Sequence, residues 1–273
     1  MAKRIKTVRA GRLVIGVCYS QAAGADAPKA RAAKTRCSSM ARRALNFRAA
    51  WQKLRMELCA NVGRGDLWVT LGYDDAHLPD TRKKAKANMA AFMDRLRAAR
   101  RKAGEELLYF YITEELQDDG SRRLHHHLVL RAGAERRDYE LIRSLWTQGS
   151  NIEIRRLGEH ELYSDDFLEL AQYMCKERNP EAKTYNVGDK CWVSSRNIAK
   201  PETVSELVPD NVTITAPPGA RILDQDHKSN EFGSYDYIAY ILPELPTAAQ
   251  KKPKRGRKSQ KDFKNSVSGL CIS

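Results

Sequence analysis

The chain has 273 residues, 42% of them hydrophobic, and carries 48 Lys+Arg against 34 Asp+Glu for a net charge of +14. That apolar content can build one substantial core, with or without a small appendage, and excludes disorder throughout. The charge points to a polyanionic partner, nucleic acid or an acidic membrane surface, because a strong positive field concentrates such partners whatever the fold.

Residues 1–36 are basic and rich in Ala and Gly, and they read as an arm holding one β-like run, RLVIGVCYS. Leu45, Trp51, Leu54 and Leu58 fall at helical spacing and predict a helix from Ser38 to about Asn61, with Ser38 or Ser39 as its N-cap. After VGRGD breaks it, residues 67–73 (LWVTLGY) predict a buried strand. A second helix is expected from about Thr81 to Ala103, with Met89, Phe92, Met93 and Leu96 on its apolar side, seven Lys and Arg elsewhere and Gly104 as its stop. ELLYFYITEEL, a polar turn and HHHLVL then read as a β-hairpin. A helix through YELIRSLWTQG, a short strand NIEIRRL and a helix over Ser164–Glu177 with an acidic first turn follow. This order suits an α+β domain with a largely antiparallel sheet, helices packed on its face. Residues 37–184 form that domain; 185–248 are a β-rich extension or a small second domain, and 249–273 a basic tail with no apolar periodicity.

The six cysteines (Cys18, Cys37, Cys59, Cys175, Cys191, Cys271) form no CxxC pair, which argues against a zinc ribbon and a disulfide framework and fits a reducing cytosol. No apolar run reaches the roughly 18 residues of a membrane span, and no signal peptide is recognisable, so a soluble cytoplasmic protein with no membrane partner is expected.

Chemistry concentrates in HHHLVL. Alternate residues of a strand share a face, so His125 and His127 point together while His126 points away. Two imidazoles at that spacing can ligate one metal ion, and a hairpin with residues 111–115 brings Glu114 or Glu115 beside them, Glu114 being the preferred register. Ligand type alone leaves the metal open: imidazole suits Zn, Fe, Ni or Cu, while the carboxylate tolerates Mg or Mn. A two-histidine, one-carboxylate iron oxygenase is an outlying reading of the same set. Tyr173 and Lys176, three residues apart in LELAQYMCKERNP, share a helix face, and an ammonium beside a phenol can steady the phenolate or hold the phosphate it attacks.

With these residues the sequence resembles the HUH endonuclease superfamily, and within it the rolling-circle replication initiators of plasmids and phages. HHHLVL at 125–130 matches the His-hydrophobic-His motif, with His126 in the usually hydrophobic slot; YMCK at 173–176 matches Tyr-x-x-Lys; WVTLGY at 68–73 stands for the first motif strand. The resemblance covers residues 40–180 and implies a five-stranded antiparallel sheet with the histidines on a central strand and the tyrosine helix packed over them. It further implies that His125, His127 and Glu114 hold a divalent ion, Mg or Mn, that Tyr173 attacks the scissile phosphate to give a 5′-phosphotyrosine, and that Lys176 assists. Tyr163, Tyr109 and Tyr111 are weaker nucleophile candidates. The implied substrate is single-stranded or melted origin DNA, with a helicase and a polymerase borrowed from a bacterial host because no Walker A pattern is present. Phosphate contacts are expected from the helix near 82–102, from residues 36–55 and from the 251–264 tail, and Trp192 is either a base-stacking or a core residue. A relaxase or transposase of the same superfamily, or a non-catalytic DNA-binding protein of the same fold, are the alternatives.

Overall fold

The computed structural model describes residues 2–20, 40–116, 122–133, 137–178, 190–231 and 233–244. The expected basic tail lies outside them, as do most of the residues that follow the first β-like run. The elements run β1 (Lys3–Ala10), β2 (Leu13–Ser20), α1 (Met40–Asn61), β3 (Leu67–Leu71), α2 (Arg82–Lys102), β4 (Tyr109–Leu116), β5 (Arg122–Leu130), α3 (Asp138–Leu145), β6 (Ile152–Arg156), α4 (Leu168–Met174), β7 (Val193–Ser194), β8 (Glu202–Val208), β9 (Arg221–Asn230) and β10 (Gly233–Ile241). The fold is α+β and divides into two compact units, a central one over Thr35–Ala199 and a terminal one made of Met1–Lys34 with Lys200–Ser273. No helix among the described residues is long and apolar enough to cross a membrane.

The central unit holds an antiparallel five-stranded sheet in the order β6-β3-β5-β4-β7, with the histidine strand β5 in the middle. Strand alternation sorts its residues to two faces. Leu67, Val69 and Leu71 of β3, Tyr109 and Tyr111 of β4, and Leu128 and Leu130 of β5 pack against Met89, Phe92, Met93 and Leu96 of α2 and Ile142 of α3. Trp68, Phe110, Ile112 and Val129, one residue out of phase, pack against Leu54 and Leu58 of α1 and Leu170, Ala171 and Met174 of α4. Helices therefore cover both faces, one more layer than a sheet with helices on a single face. Truncating a fully buried side chain such as Leu54 or Phe92 to Ala would cost about 2–5 kcal/mol, the transfer term plus the cavity left behind.

Helix α2 starts where its sequence signals place it: the Thr81 hydroxyl accepts from the Lys84 amide, and Gly104 follows at φ 72. Helix α4 does not. The sequence predicts a helix over Ser164–Glu177, but Phe167 sits in the left-handed region at φ 54, so the helix begins only at Leu168, and Cys175 at φ −104, ψ 3 ends it. Such a conformation costs a bulky L-residue about 1–2 kcal/mol. It is held by burial of the ring, 3% exposed and edge-on to Tyr163, and by Asp166, which pairs with Arg55 at 2.5 Å.

In the terminal unit the expectation of an arm with one strand is corrected. Residues 3–20 form a hairpin, its two-residue turn made possible by Gly11 at φ 59, and this hairpin is the middle of a second antiparallel sheet, β8-β1-β2-β10-β9. Its register runs Ile5↔Cys18 between β1 and β2 and Cys18↔Asp236 between β2 and β10, and it shifts between β10 and β9 at Ala239/Tyr240. One face buries Ile5, Val14, Cys18, Ile238 and Tyr240 under Val212 and Ile214 of the segment between β8 and β9.

Candidate active site

Three of the five sequence-chosen site residues lie on neighbouring strands of the central unit. Strand β4 pairs with β5 in the register Glu114↔His125 and Ile112↔His127, so Glu114, His125 and His127 share the face toward α1 and α4. Their ligand atoms all lie within 4.8 Å of one another. Glu115 is outside this cluster: its amide instead donates to Glu177 Oε1 at 2.7 Å. His126 points to the α2 face, wholly buried, its Nε2 2.8 Å from the Tyr73 hydroxyl and its Nδ1 3.0 Å from Thr113 Oγ1. A position usually filled by a hydrocarbon is thus filled by a histidine with both nitrogens satisfied.

The imidazoles are oriented by their other nitrogens. His125 Nδ1 lies 2.8 Å from the Arg123 carbonyl, which can only accept, so Nδ1 carries the proton and the Nε2 lone pair of the neutral ring is turned inward. His127 Nδ1 lies 3.1 Å from Thr70 Oγ1, and its ring stacks on Trp68 at 4.8 Å and 18°. The two Nε2 atoms face each other at 3.2 Å and stand 3.3 and 3.4 Å from Glu114 Oε2. Both Glu114 oxygens are buried without an aligned hydrogen-bond donor, in a residue 1% exposed. The Lys176 ammonium, 3.2 Å from Oε2, offsets the carboxylate charge from one side, but two imidazole lone pairs aimed at the same oxygen repel it unless a proton or a cation sits among them. The donor set therefore fits a divalent cation, with neutral imidazole nitrogens and one anionic oxygen as ligands.

Charges respond accordingly. Burial works against the Glu114 carboxylate, yet His125, His127 and Lys176 hold its pKa down to about 2. Burial also disfavours the His125 imidazolium, but hydrogen bonding to Glu114 outweighs it and raises that pKa above 6.5. His127 goes the other way, with burial dominant. His126 is pushed down to about 3, by burial first and then by repulsion from His125 and His127.

Tyr173 closes the site from α4. Its hydroxyl is 3.2 Å from His127 Nε2, and its ring stands edge-on to His127 at 5.4 Å. Lys176 lies beyond the helix end in a 3-10 turn over Lys176–Arg178 rather than on the same α-helix, yet its Nζ sits 3.9 Å from the Tyr173 ring centroid and 3.2 Å from Glu114 Oε2. That turn is pinned by Glu177, whose Oε2 is 2.5 Å from Arg82 of α2 while Oε1 takes the Glu115 amide; the same Arg82 donates to the Thr113 carbonyl. So the end of the tyrosine helix is hooked to the strand that carries Glu114. Of the other tyrosines, Tyr109 and Tyr111 are buried on the opposite face of the sheet, and Tyr163 packs against Phe167.

The site opens into a cleft of about 440 Å³ lined by Trp68, Arg123, Asn151, Arg155, His160 and Tyr173 among others. His160 tilts against Trp68 at 5.3 Å. The sequence reading missed Thr70, Arg123 and His160; of these only Thr70 carried a signal, being inside the first motif strand. Helix α2, rich in Lys and Arg, packs on the face away from the cleft, with Arg100 buried against Asp138 and Lys84 paired with Asp80. Trp192 resolves toward the core, packing on the α1 side and donating to Glu57 Oε2 at 3.3 Å.

An antiparallel α+β sheet with a His-x-His strand, a facing glutamate and a Tyr-x-x-Lys helix end above them agrees with the Rep-like fold expected from the sequence. Residues 66–178, about two fifths of the chain, are similar to the family model described as replication-associated protein ORF2. Neither a curated protein nor a solved structure matches the chain.

Proposed function

We propose that the central unit nicks and rejoins single-stranded DNA at an origin and so starts rolling-circle replication in the cytoplasm of a bacterial cell. The observation that supports this reading is the Tyr173 hydroxyl 3.2 Å from His127 Nε2, beside a Glu114, His125 and His127 cluster that could hold a metal ion. Mg or Mn held by Glu114, His125 and His127 would polarise the scissile phosphate and neutralise charge on the leaving 3′ oxygen. Tyr173 Oη forms the new bond to phosphorus, the bond to the 3′ oxygen breaks, the phenol loses its proton and the leaving oxygen gains one. Lys176, against the ring, favours the phenolate and offers its ammonium to a phosphate oxygen. Because one phosphate ester replaces another, the linkage keeps its energy and the reverse reaction reseals the strand. Unwinding and synthesis fall to a host helicase and a polymerase that extends the free 3′ hydroxyl.

The test is a labelled single-stranded DNA from the protein's own replicon, incubated with and without Mn or Mg and run on a denaturing gel. A metal-dependent covalent adduct absent from Tyr173→Phe supports the mechanism. An adduct surviving in Tyr173→Phe moves the nucleophile elsewhere, and tight binding with no adduct under either metal supports a non-catalytic binder.

A further inference from the structure

Charge and aromatic residues are arranged on the terminal unit in a way the nicking chemistry does not use. In its sheet the face opposite the Ile5, Val14 and Tyr240 core is fixed by register: Arg4 lies opposite Tyr19, Tyr19 opposite Tyr235, and Tyr235 opposite Lys228. Residues directly opposite one another in an antiparallel pair project to the same side, so these four form one transverse row, Arg-Tyr-Tyr-Lys. With strands ~4.8 Å apart, the row is about 14 Å long. The adjacent row adds Lys6 and Tyr237, which face one another across Val17 of β2. Tyr235 is 40% exposed and Lys6 is exposed, whereas the far end of this face is closed at Leu13 and Ile241. Strands β1, β2, β8 and β10 put no acid on this face: Glu206 and Asp236 share the register of Ile5 and Cys18 and point to the other side. The acids here, Asp224 and Asp226, belong to the edge strand β9, and Asp226 pairs with Lys228 at 2.8 Å.

We propose that this face is a platform for single-stranded DNA, separate from the nicking cleft. Paired tyrosines on an open antiparallel sheet offer π-faces to successive unstacked bases, and Arg4, Lys6 and Lys228 beside them offer cations to the phosphates. Duplex DNA hides its base faces and does not fit such a row. A protein partner would gain little from cations that flank each side of an aromatic pair, whereas a polyanion with stackable rings uses both features. The unit then supplies sequence-tolerant affinity for the melted strand, whatever becomes of the catalytic assignment in the other unit.

The test uses the full chain and a fluorescein-labelled oligothymidylate, with an oligouridylate in parallel, read by anisotropy over a salt series. Each stacking tyrosine carries about tenfold in affinity, so Tyr19→Ala with Tyr235→Ala weakens binding by about a hundredfold, and the Tyr→Phe pair, which keeps the rings, restores it. Lys6→Glu, an exposed change that leaves the sheet intact, weakens binding and lowers the salt slope by about one unit. Ultraviolet crosslinks fall in peptides of β2 and β10. The proposal is overturned if the Ala pair, folded by its thermal transition, binds as tightly as the parent, or if crosslinks map only to the central unit. It is also overturned if the oligouridylate binds tighter than the oligothymidylate, or if the Ala pair alters sedimentation of the protein alone with DNA affinity unchanged, which makes the face a protein-docking surface.

Discussion

Replacing Glu114 with Gln keeps the shape of the side chain and removes the one anionic ligand of the cluster. If Glu114, His125 and His127 bind a divalent cation in the folded state alone, the ion stabilises the fold by RT ln(1 + [L]/Kd), about 2.7 kcal/mol when the ion is at about 100 times Kd. For a unit the size of Thr35–Ala199, each kcal/mol raises Tm by about 2–4 °C, so saturating Mn should raise that unit's transition by about 5–10 °C. Scanning calorimetry of the full chain in Mn and in chelator measures the shift, and Glu114→Gln should abolish most of it. The shift should also fade on acidification, because a ligand imidazole must be neutral. His125, with its pKa raised above 6.5 by Glu114, takes up a proton first, so the loss starts above that pH. An equal Mn shift in the parent and in Glu114→Gln would refute the ligand assignment, and no shift in the parent at saturating Mn or Mg would remove the metal site altogether.

Three further outcomes follow from other parts of the central unit. His126 stays unprotonated in the fold down to about pH 3, whereas an unfolded histidine takes a proton near 6.5, so its contribution to stability is complete above pH 6.5 and falls about tenfold in folded-to-unfolded ratio per pH unit below it. His126→Leu should flatten that acid slope in denaturant titrations while costing about 2 kcal/mol at neutral pH, since the buried Tyr73 and Thr113 hydroxyls lose their partner. Glu177→Ala breaks a partly buried ion pair and frees the Glu115 amide, a loss of about 2 kcal/mol by denaturant titration, and should slow adduct formation more than it weakens DNA binding. At Phe167 the usual ranking of small residues inverts: Phe167→Gly and Phe167→Ala both lose the buried ring, but Gly should be the more stable by about 1 kcal/mol because only it takes φ 54 without strain.

Much of the central unit was legible because its signals are local. Aromatic and β-branched runs in LWVTL and YFYITEEL placed two strands, alternation along HHHLVL set the face shared by His125 and His127, and Thr81 and Gly104 bounded α2. What failed was set by distant contacts. The strain at Phe167 depends on a buried ring and on Asp166 being held by Arg55, over a hundred positions earlier, so acidic residues that read as a first helical turn are not one. The first hairpin read as an arm because its partners, β8 and β10, lie some 200 positions downstream, and no periodicity in residues 3–20 announces them. The carbonyl of Arg123, which sets the tautomer of His125, is a backbone atom and leaves no trace in residue identity.

The order β8-β1-β2-β10-β9 has a consequence for how the polypeptide is made. The earliest-synthesised strands occupy the middle of their sheet, and the strands that flank them emerge only after residues 35–199 have left the ribosome. The first hairpin must therefore wait with both edges bare while the central unit folds, a state prone to pairing with other chains. A polypeptide stopped near residue 199 would keep that hairpin and lose both its covers, whereas residues 35–199 alone carry the complete β6-β3-β5-β4-β7 sheet and no orphaned strand from the other. Separating the two units therefore calls for cuts on both sides of the central one, and an N-terminal fragment is the version to expect in inclusion bodies.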